Sequence, residues 1–188
     1  MKNMLLFTVF AILSCNSNNT NTKIYNEQNA SNLRRDSLFE PLSKQVLSNF
    51  LIDSILNYKL TKKEEESTSG YGYKVNTILG FYSNNDDSKK VFKLYLSDAG
   101  GAKSILGVGA WASLDFNKTN EFTKNINGKK YYMKLNNKNK KGEMDVLINN
   151  RFVVQLKSKN VDSTDMYSII NDLISRNQVY FENARQPM

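Results

Sequence analysis

Hydrophobic and polar positions alternate along much of the chain between residues 71 and 156, a pattern typical of β-strands with one buried face. The alternation runs from Tyr71 to Phe81 and from Val91 to Leu96, with a polar turn at residues 84–87. In the first segment the odd-numbered side chains are expected to be buried: Tyr71, Tyr73, Val75, Thr77, Leu79 and Phe81. In the second, Phe92, Leu94 and Leu96 share one side. Together the two segments predict a β-hairpin.

Four further strands are predicted in the C-terminal half, over residues 122–126, 130–135, 144–148 and 152–156. Asn127-Gly128 favours a type I′ turn between the first two, and Asn149-Asn150 provides the turn before the last. Tyr131, Met133 and Leu135 are expected on one buried face. Because short connections join antiparallel neighbours, this half is predicted to be a meander.

Three segments have helical spacing instead. Residues 41–58 predict an N-terminal amphipathic helix, residues 102–114 a short central helix that contains Trp111, and the segment after Asp162 a C-terminal helix. The C-terminal helix would bury Met166, Ile169, Ile170, Leu173 and Ile174. The polar residues 61–70 are interpreted as a solvated linker. The predicted fold class is therefore α+β, an antiparallel meander of about five to six strands flanked by these three helices.

The first fifteen residues have the character of an export signal. Lys2 precedes an apolar run from Met4 to Leu13. This run is too short for a membrane span, which needs about 20 residues, but it suits a signal peptide.

The stretch Ile12-Leu13-Ser14-Cys15 resembles the lipobox of bacterial lipoproteins. That resemblance implies a lipid-modified Cys15 as the mature N-terminus and a location in the cell envelope. By the same resemblance, Asn16 in place of an Asp after the Cys implies the outer membrane, facing the periplasm or the surface.

The domain organisation follows from these patterns. Residues 1–14 are the predicted signal peptide, and residues 15–36, rich in Asn, Ser and Thr, a flexible lipidated tether. Residues 37–176 are predicted to form a single α+β domain, and residues 177–188 a C-terminal tail without a clear pattern. The strand ending at Asp98-Ala99-Gly100-Gly101, the segment with Trp111 and the run from Asn150 to Val154 resemble uncharacterised bacterial envelope domains. This resemblance implies a fold and no chemistry.

The net charge of +8 favours an anionic partner. Behind a lipoprotein leader, anionic lipid or another envelope protein is expected rather than nucleic acid. Six lysines are concentrated on one predicted hairpin and are candidates for anion binding, although a merely solvated face would have the same composition: Lys129, Lys130, Lys134, Lys138, Lys140 and Lys141.

The chain contains one Cys and no His, which excludes an intrachain disulfide, a zinc finger or a Cys/His catalytic pair. Because His is absent and Cys occurs once, we expect no metal site, and because no nucleotide-binding glycine motif is present, we expect no cofactor. Asp98, Gly100 and Gly101 could form a ligand-binding turn for a cation or a hydroxylated ligand, or could simply reverse the chain.

These observations favour a non-enzymatic, lipid-anchored envelope protein that binds another envelope component. The alternatives are a carrier or sensor of a small apolar or lipid ligand, and a hydrolase that uses carboxylates or a Ser–Lys pair.

Overall fold

The computed structural model describes residues 40–70, 73–100 and 115–184. The chain divides into two compact units, Met1–Arg35 and Asp36–Met188, and all described residues belong to the second. The predicted signal peptide, Cys15, Gly101 and the central helix at residues 102–114 lie outside the described residues.

The described residues form three helices and nine strands. The helices are α1 (Lys44–Ser48), α2 (Ser163–Arg176) and α3 (Gln178–Asn183). The strands are β1 (Ser54–Ile55), β2 (Tyr58–Gly70), β3 (Tyr73–Asn84), β4 (Val91–Asp98), β5 (Asn117–Lys118), β6 (Glu121–Ile126), β7 (Lys129–Asn136), β8 (Lys141–Ile148) and β9 (Phe152–Lys159).

All nine strands belong to one antiparallel sheet, in the order β1-β2-β3-β4-β9-β8-β7-β6-β5. Each half of the sheet, β1 to β4 and β5 to β9, is a meander of sequential neighbours, and pairing of β4 with β9 joins the halves. The predicted antiparallel sheet is thus confirmed, but it is larger than five to six strands. Because the described helices are few and short, the α+β description holds only roughly.

One face of the sheet, here called the core face, packs against the helices. Phe92, Leu94 and Leu96 of β4 and Tyr131 and Met133 of β7 are buried there, as predicted. Helix α2 buries four of the predicted side chains, Met166, Ile169, Ile170 and Leu173. It packs closely because β8 has a glycine beneath it: a Cβ atom on Gly142 would lie 2.6 Å from the Sδ atom of Met166. The predicted C-terminal helix is confirmed.

The face predicted for β3 is wrong. Ile78 and Tyr82, at even positions, point into the main core, and the Tyr82 ring stacks on Phe92 with a centroid distance of 4.7 Å. Phe81 lies on the opposite face, here called the outer face, where Leu79 is nevertheless buried. Both parities of this segment are apolar, so alternation alone does not identify its inner side.

The predicted helix over residues 41–58 is wrong for most of its length. Helix α1 ends at Ser48, and Leu56 has a φ of +49°, a left-handed conformation that no α-helix allows. Phe50, Leu51 and Ile55 are buried from a loop and a short strand instead. A regular apolar spacing was therefore satisfied without a helix.

The predicted linker at residues 61–70 is also wrong, because these residues belong to β2. Backbone pairing with β3 continues from Tyr58 to Gly70, with a bulge between Leu60 and Lys62. Intrinsic strand preference is low for consecutive Glu residues, so the pairing partner decides the structure here.

The fold continues past residue 176, where a patternless tail was predicted. Phe181 of α3 is buried against Phe50 and Phe152, with ring centroids 5.1 and 5.3 Å away. The Asn177 side chain donates a hydrogen bond to the carbonyl of Phe50 at 2.9 Å. The predicted boundary at residue 176 therefore falls inside the packed structure.

The predicted tight turns are confirmed by their backbone angles. Asn127 and Gly128 have φ values of +49° and +74°, and Asn149 and Asn150 have +53° and +57°. A type I′ turn needs positive φ at both central residues, which Asn and Gly tolerate best.

Candidate anion-binding surface

The outer face of the sheet brings together four lysines from three neighbouring strands. Lys93 of β4 is directly opposite Lys157 of β9, and Lys141 of β8 is directly opposite Lys159 of β9. All four side chains are exposed. Lys93, Lys141, Lys157 and Lys159 are called the lysine patch below.

Little negative charge opposes the lysine patch. The Nζ atom of Lys157 lies 3.7 Å from an oxygen of Glu143, which also accepts a hydrogen bond of 2.9 Å from Gln155. Within the described part of the chain, the other three lysines of the patch form no ion pair. The patch therefore keeps a net positive charge.

Two aromatic rings lie beside these ammonium groups. The Lys93 Nζ atom is 4.8 Å from the ring centroid of Phe81, and the Lys157 Nζ atom is 5.4 Å from that of Tyr95. Phe81, Tyr95 and the four lysines line an open depression of about 560 Å³. The surface thus offers positive charge beside flat apolar area, which suits a ligand with both anionic and apolar parts.

The structure separates the six lysines predicted to form one cluster. Lys138 and Lys140 lie in the β7–β8 turn, next to Lys141. Lys134 is exposed on the outer face of β7, opposite Glu121 and Glu143. Two further depressions, of about 530 and 550 Å³, flank this turn, and Lys141 lines both. Lys138 and Lys140 therefore extend the lysine patch, whereas Lys134 lies between two carboxylates.

Lys129 and Lys130 do not belong to that cluster. They lie at the far end of β7, beside the Asn127-Gly128 turn, and Lys130 forms a 2.8 Å ion pair with Asp115. The prediction of a single cluster of six was wrong because residues at the two ends of one strand are close only in sequence.

Lys93, Lys157 and Lys159 were missed in the sequence. Each lies at an outward position of a strand with alternating polarity, so the alternation in the sequence could have predicted that each lysine is exposed on the outer face. Their proximity depends on the pairing of β4 with β9, for which the sequence offered no local indication.

Of the two interpretations of the Asp98 turn, ligand binding or chain reversal, the contacts of Asp98 favour the second. Its carboxylate is fully buried and accepts hydrogen bonds from Arg151 Nε at 3.0 Å and Nη2 at 2.8 Å. It also accepts from the backbone N–H groups of Leu42 at 2.9 Å and Gly100 at 2.8 Å. Both carboxylate oxygens are engaged within the chain, so the turn holds the fold together.

Asp145 is a second buried carboxylate, on the outer face between Tyr132 and Gln155. Among the residues that the structure describes, its Oδ1 atom has no hydrogen-bond partner. Burial raises the pKa of Asp145 to about 7, and the negative charge of the nearby Glu143 also raises it. A hydrogen bond from Gln155 and the positive charge of Lys157 lower the pKa but do not cancel this increase. In the described ranges no group of three or more acidic side chains is placed to hold a metal ion.

Compared with known proteins, the chain matches no family model, no curated protein and no solved structure. None of the three described helices is long and apolar enough to cross a membrane.

Proposed function

We propose that this chain is a lipid-anchored protein of the bacterial cell envelope, whose sheet domain binds the phosphates of an anionic lipid surface through the lysine patch. The anchor is proposed from the apolar leader and Cys15, and the outer membrane from Asn16. The binding role is non-enzymatic. A carrier or sensor of a small ligand, and a hydrolase, stay as the alternative predictions.

The observation that carries this proposal is the pairing of like charges. Lys93 is directly opposite Lys157, and Lys141 is opposite Lys159. Opposite residues of an antiparallel pair have Cβ atoms about 4.5–5.5 Å apart, and like charges there destabilise the sheet. A phosphate bound between such lysines would replace this repulsion with attraction, so ligand binding offers a reason for an otherwise unfavourable arrangement.

The surrounding residues support a lipid head group as the ligand. Basic residues near an anionic bilayer contribute about 1 kcal/mol each, and the aromatic rings of Phe81 and Tyr95 suit the boundary between water and lipid. If residues 15–36 form the tether that the sequence predicts, a chain of about 20 residues would span roughly 25 Å on average, enough for the domain to reach lipid near its own anchor.

The anchor is tested by mass spectrometry of the membrane fraction. We expect an N-terminal peptide that begins at Cys15 and carries acyl chains, because two or more chains are needed for a lasting anchor. Cys15→Ser should block lipid attachment and release the processed protein from membranes. A processed Cys15→Ser protein that stayed membrane-bound would contradict the anchor.

The lysine patch is tested separately with the full-length protein reconstituted in neutral phosphatidylcholine vesicles. Added phosphatidylglycerol vesicles should dock onto these at low salt and be released at high salt, since screening weakens exposed charge interactions. Lys93→Gln combined with Lys157→Gln should lower the docking affinity about tenfold or more, given about 1 kcal/mol per lysine.

The matched control is Lys74→Gln combined with Lys124→Gln, which removes the same charge from exposed positions outside the patch. Equal losses in the two double variants would show an effect of net charge alone. That result would overturn the lysine patch as the binding site while leaving the lipid anchor intact.

A further inference from the structure

One edge of strand β2 is unpaired over most of its length, as far as the described residues show. β3 pairs with one side of β2 from Tyr58 to Gly70, whereas β1 pairs on the other side with Tyr58 and Lys59 only. Leu60 adds one hydrogen bond from its N–H group to the carbonyl of Asp53, at 2.8 Å. From residue 62 onward, no segment that the structure describes pairs with this outer edge. An open edge of this length is a template for another strand.

The charges along this edge are ordered. Lys62 and Lys63 are followed by Glu64, Glu65 and Glu66, and Glu64 is the midpoint of the strand. Glu66 has no ion-pair partner among the described residues, and Glu65 is 3.7 Å from Lys44. Of the five charged side chains from Lys62 to Glu66, Glu64 is half-buried and the other four are exposed. Lys62 forms an ion pair with Glu64 of the same strand, and the Lys63 Nζ atom donates a hydrogen bond to the carbonyl of Leu51 at 3.2 Å. Pairing with a second strand would exchange these contacts for contacts across the edge.

The order of charges is most complementary in one register. When two copies of a strand pair antiparallel about a two-fold axis normal to the sheet, opposite residues share a face, so the axis passes beside one residue. With the axis at Glu64, Lys62 is opposite the partner subunit's Glu66, and Lys63 is opposite the partner subunit's Glu65. An axis at Glu65 would instead place Glu64 opposite the partner subunit's Glu66.

We propose that two copies of this chain associate by antiparallel pairing of their β2 edges about Glu64, which makes their sheets continuous. Each copy contributes two lysines and two glutamates, each paired with the opposite charge of the other copy, so four opposite-charge pairs flank one Glu64–Glu64 contact. This short interface predicts a weak dimer. The proposal does not depend on the proposed function, because none of the four lysines of the lysine patch belongs to β2, although the Lys62 Nζ atom lies 5.6 Å from the centroid of the neighbouring Phe81 ring.

Position-specific crosslinking in native membranes tests the register. Directly opposite residues have Cα atoms about 4.5–5.5 Å apart, within the range that a disulfide spans, so Glu64→Cys should form a disulfide dimer under mild oxidation. Thr68→Cys, exposed on the same strand, is the control. In this register its Cα atom lies about 27 Å from its counterpart, at about 3.4 Å per residue. The full-length parent protein, whose one cysteine is Cys15, shows how much disulfide dimer forms without the introduced cysteine.

A charge-swap arm tests the complementarity. In the Glu64→Cys protein, either Lys62→Glu with Lys63→Glu or Glu65→Lys with Glu66→Lys should lower crosslinking several-fold by placing like charges opposite each other. Co-expression of the two variants should restore it. Equal crosslinking at positions 64 and 68, no dimer at position 64, or no recovery in the mixture would each overturn the proposal. A crosslinked product of another mass would show a different partner and also overturn it.

Discussion

At the scale of single residues, the Asp98–Arg151 pair shows how a charged turn can serve the fold. Arg151 is 7% exposed, and it donates to Asp98, to the carbonyl of Glu40 at 3.2 Å and to the carbonyl of Ala184. Burying two charges is costly unless further hydrogen bonds satisfy them, and here both Asp98 and Arg151 form additional hydrogen bonds to the backbone. The pair therefore ties both ends of the described chain to the sheet.

Asp145 should make stability depend on pH. Its folded-state pKa of about 7 lies above the ordinary value of 3.8, so the folded protein holds this proton more tightly than the unfolded chain. The stabilisation is complete below about pH 4 and is lost as the pH rises to about 7. Because each tenfold change in proton affinity corresponds to about 1.4 kcal/mol, the loss can reach a few kcal/mol.

Asp145→Asn should remove this dependence, since an amide does not ionise. Urea unfolding at pH 5 and pH 8 would measure it, with Asp53→Asn, at an exposed carboxylate, as the control. The Asp145→Asn protein should gain stability relative to the parent at pH 8. If its free energy of unfolding fell between pH 5 and pH 8 as much as in the parent, Asp145 would not be the responsible group.

At the scale of elements, the sequence predicted best where local chemistry and tertiary packing agree. Helix α2 begins at a capping residue, Asp162, whose carboxylate accepts a 2.8 Å hydrogen bond from the N–H group of Asp165. The turns of the C-terminal meander were predicted because Asn and Gly readily adopt the positive φ angles that these turns need. By contrast, β2 has no local strand signal, because its structure depends on β3 rather than on its own composition.

Helix α3 shows the same limit, since so short a helix is not stable alone and packing must hold it. Phe181 is buried, with 2% of its surface exposed. Phe181→Ala should lower the free energy of unfolding by about 3–5 kcal/mol, as loss of a buried ring usually does.

The control is Val179, which is 65% exposed on the same helix. Val179→Ala should cost no more than about 0.5 kcal/mol, as surface substitutions usually do. Equal urea midpoints for the two variants would show that α3 is not part of the cooperative unit.

At the scale of the whole molecule, the sequence predicted most strands and turns and the order within each meander, but not the β4–β9 pairing that joins the two meanders. Periodicity reports which residues point together, whereas strand order depends on pairings between distant segments. The candidate site shows this directly: Lys141 was found within the predicted hairpin, but Lys93 and Lys157 become neighbours only across the β4–β9 pairing. Alternation also could not assign the inner face of β3, because both of its faces carry apolar residues.

The β4–β9 pairing also governs how much chain entropy the sheet must give up. Asp98 pairs with Phe152 and Val91 with Lys159, 54 and 68 positions apart, whereas Ile126 and Lys129 close the β6–β7 hairpin across only three. Loop closure costs about 0.6 kcal/mol more for each doubling of length, so this pairing costs roughly 2–3 kcal/mol more to nucleate than a hairpin. Each meander can assemble from local contacts, and the rate at which the complete sheet forms depends on the encounter between them.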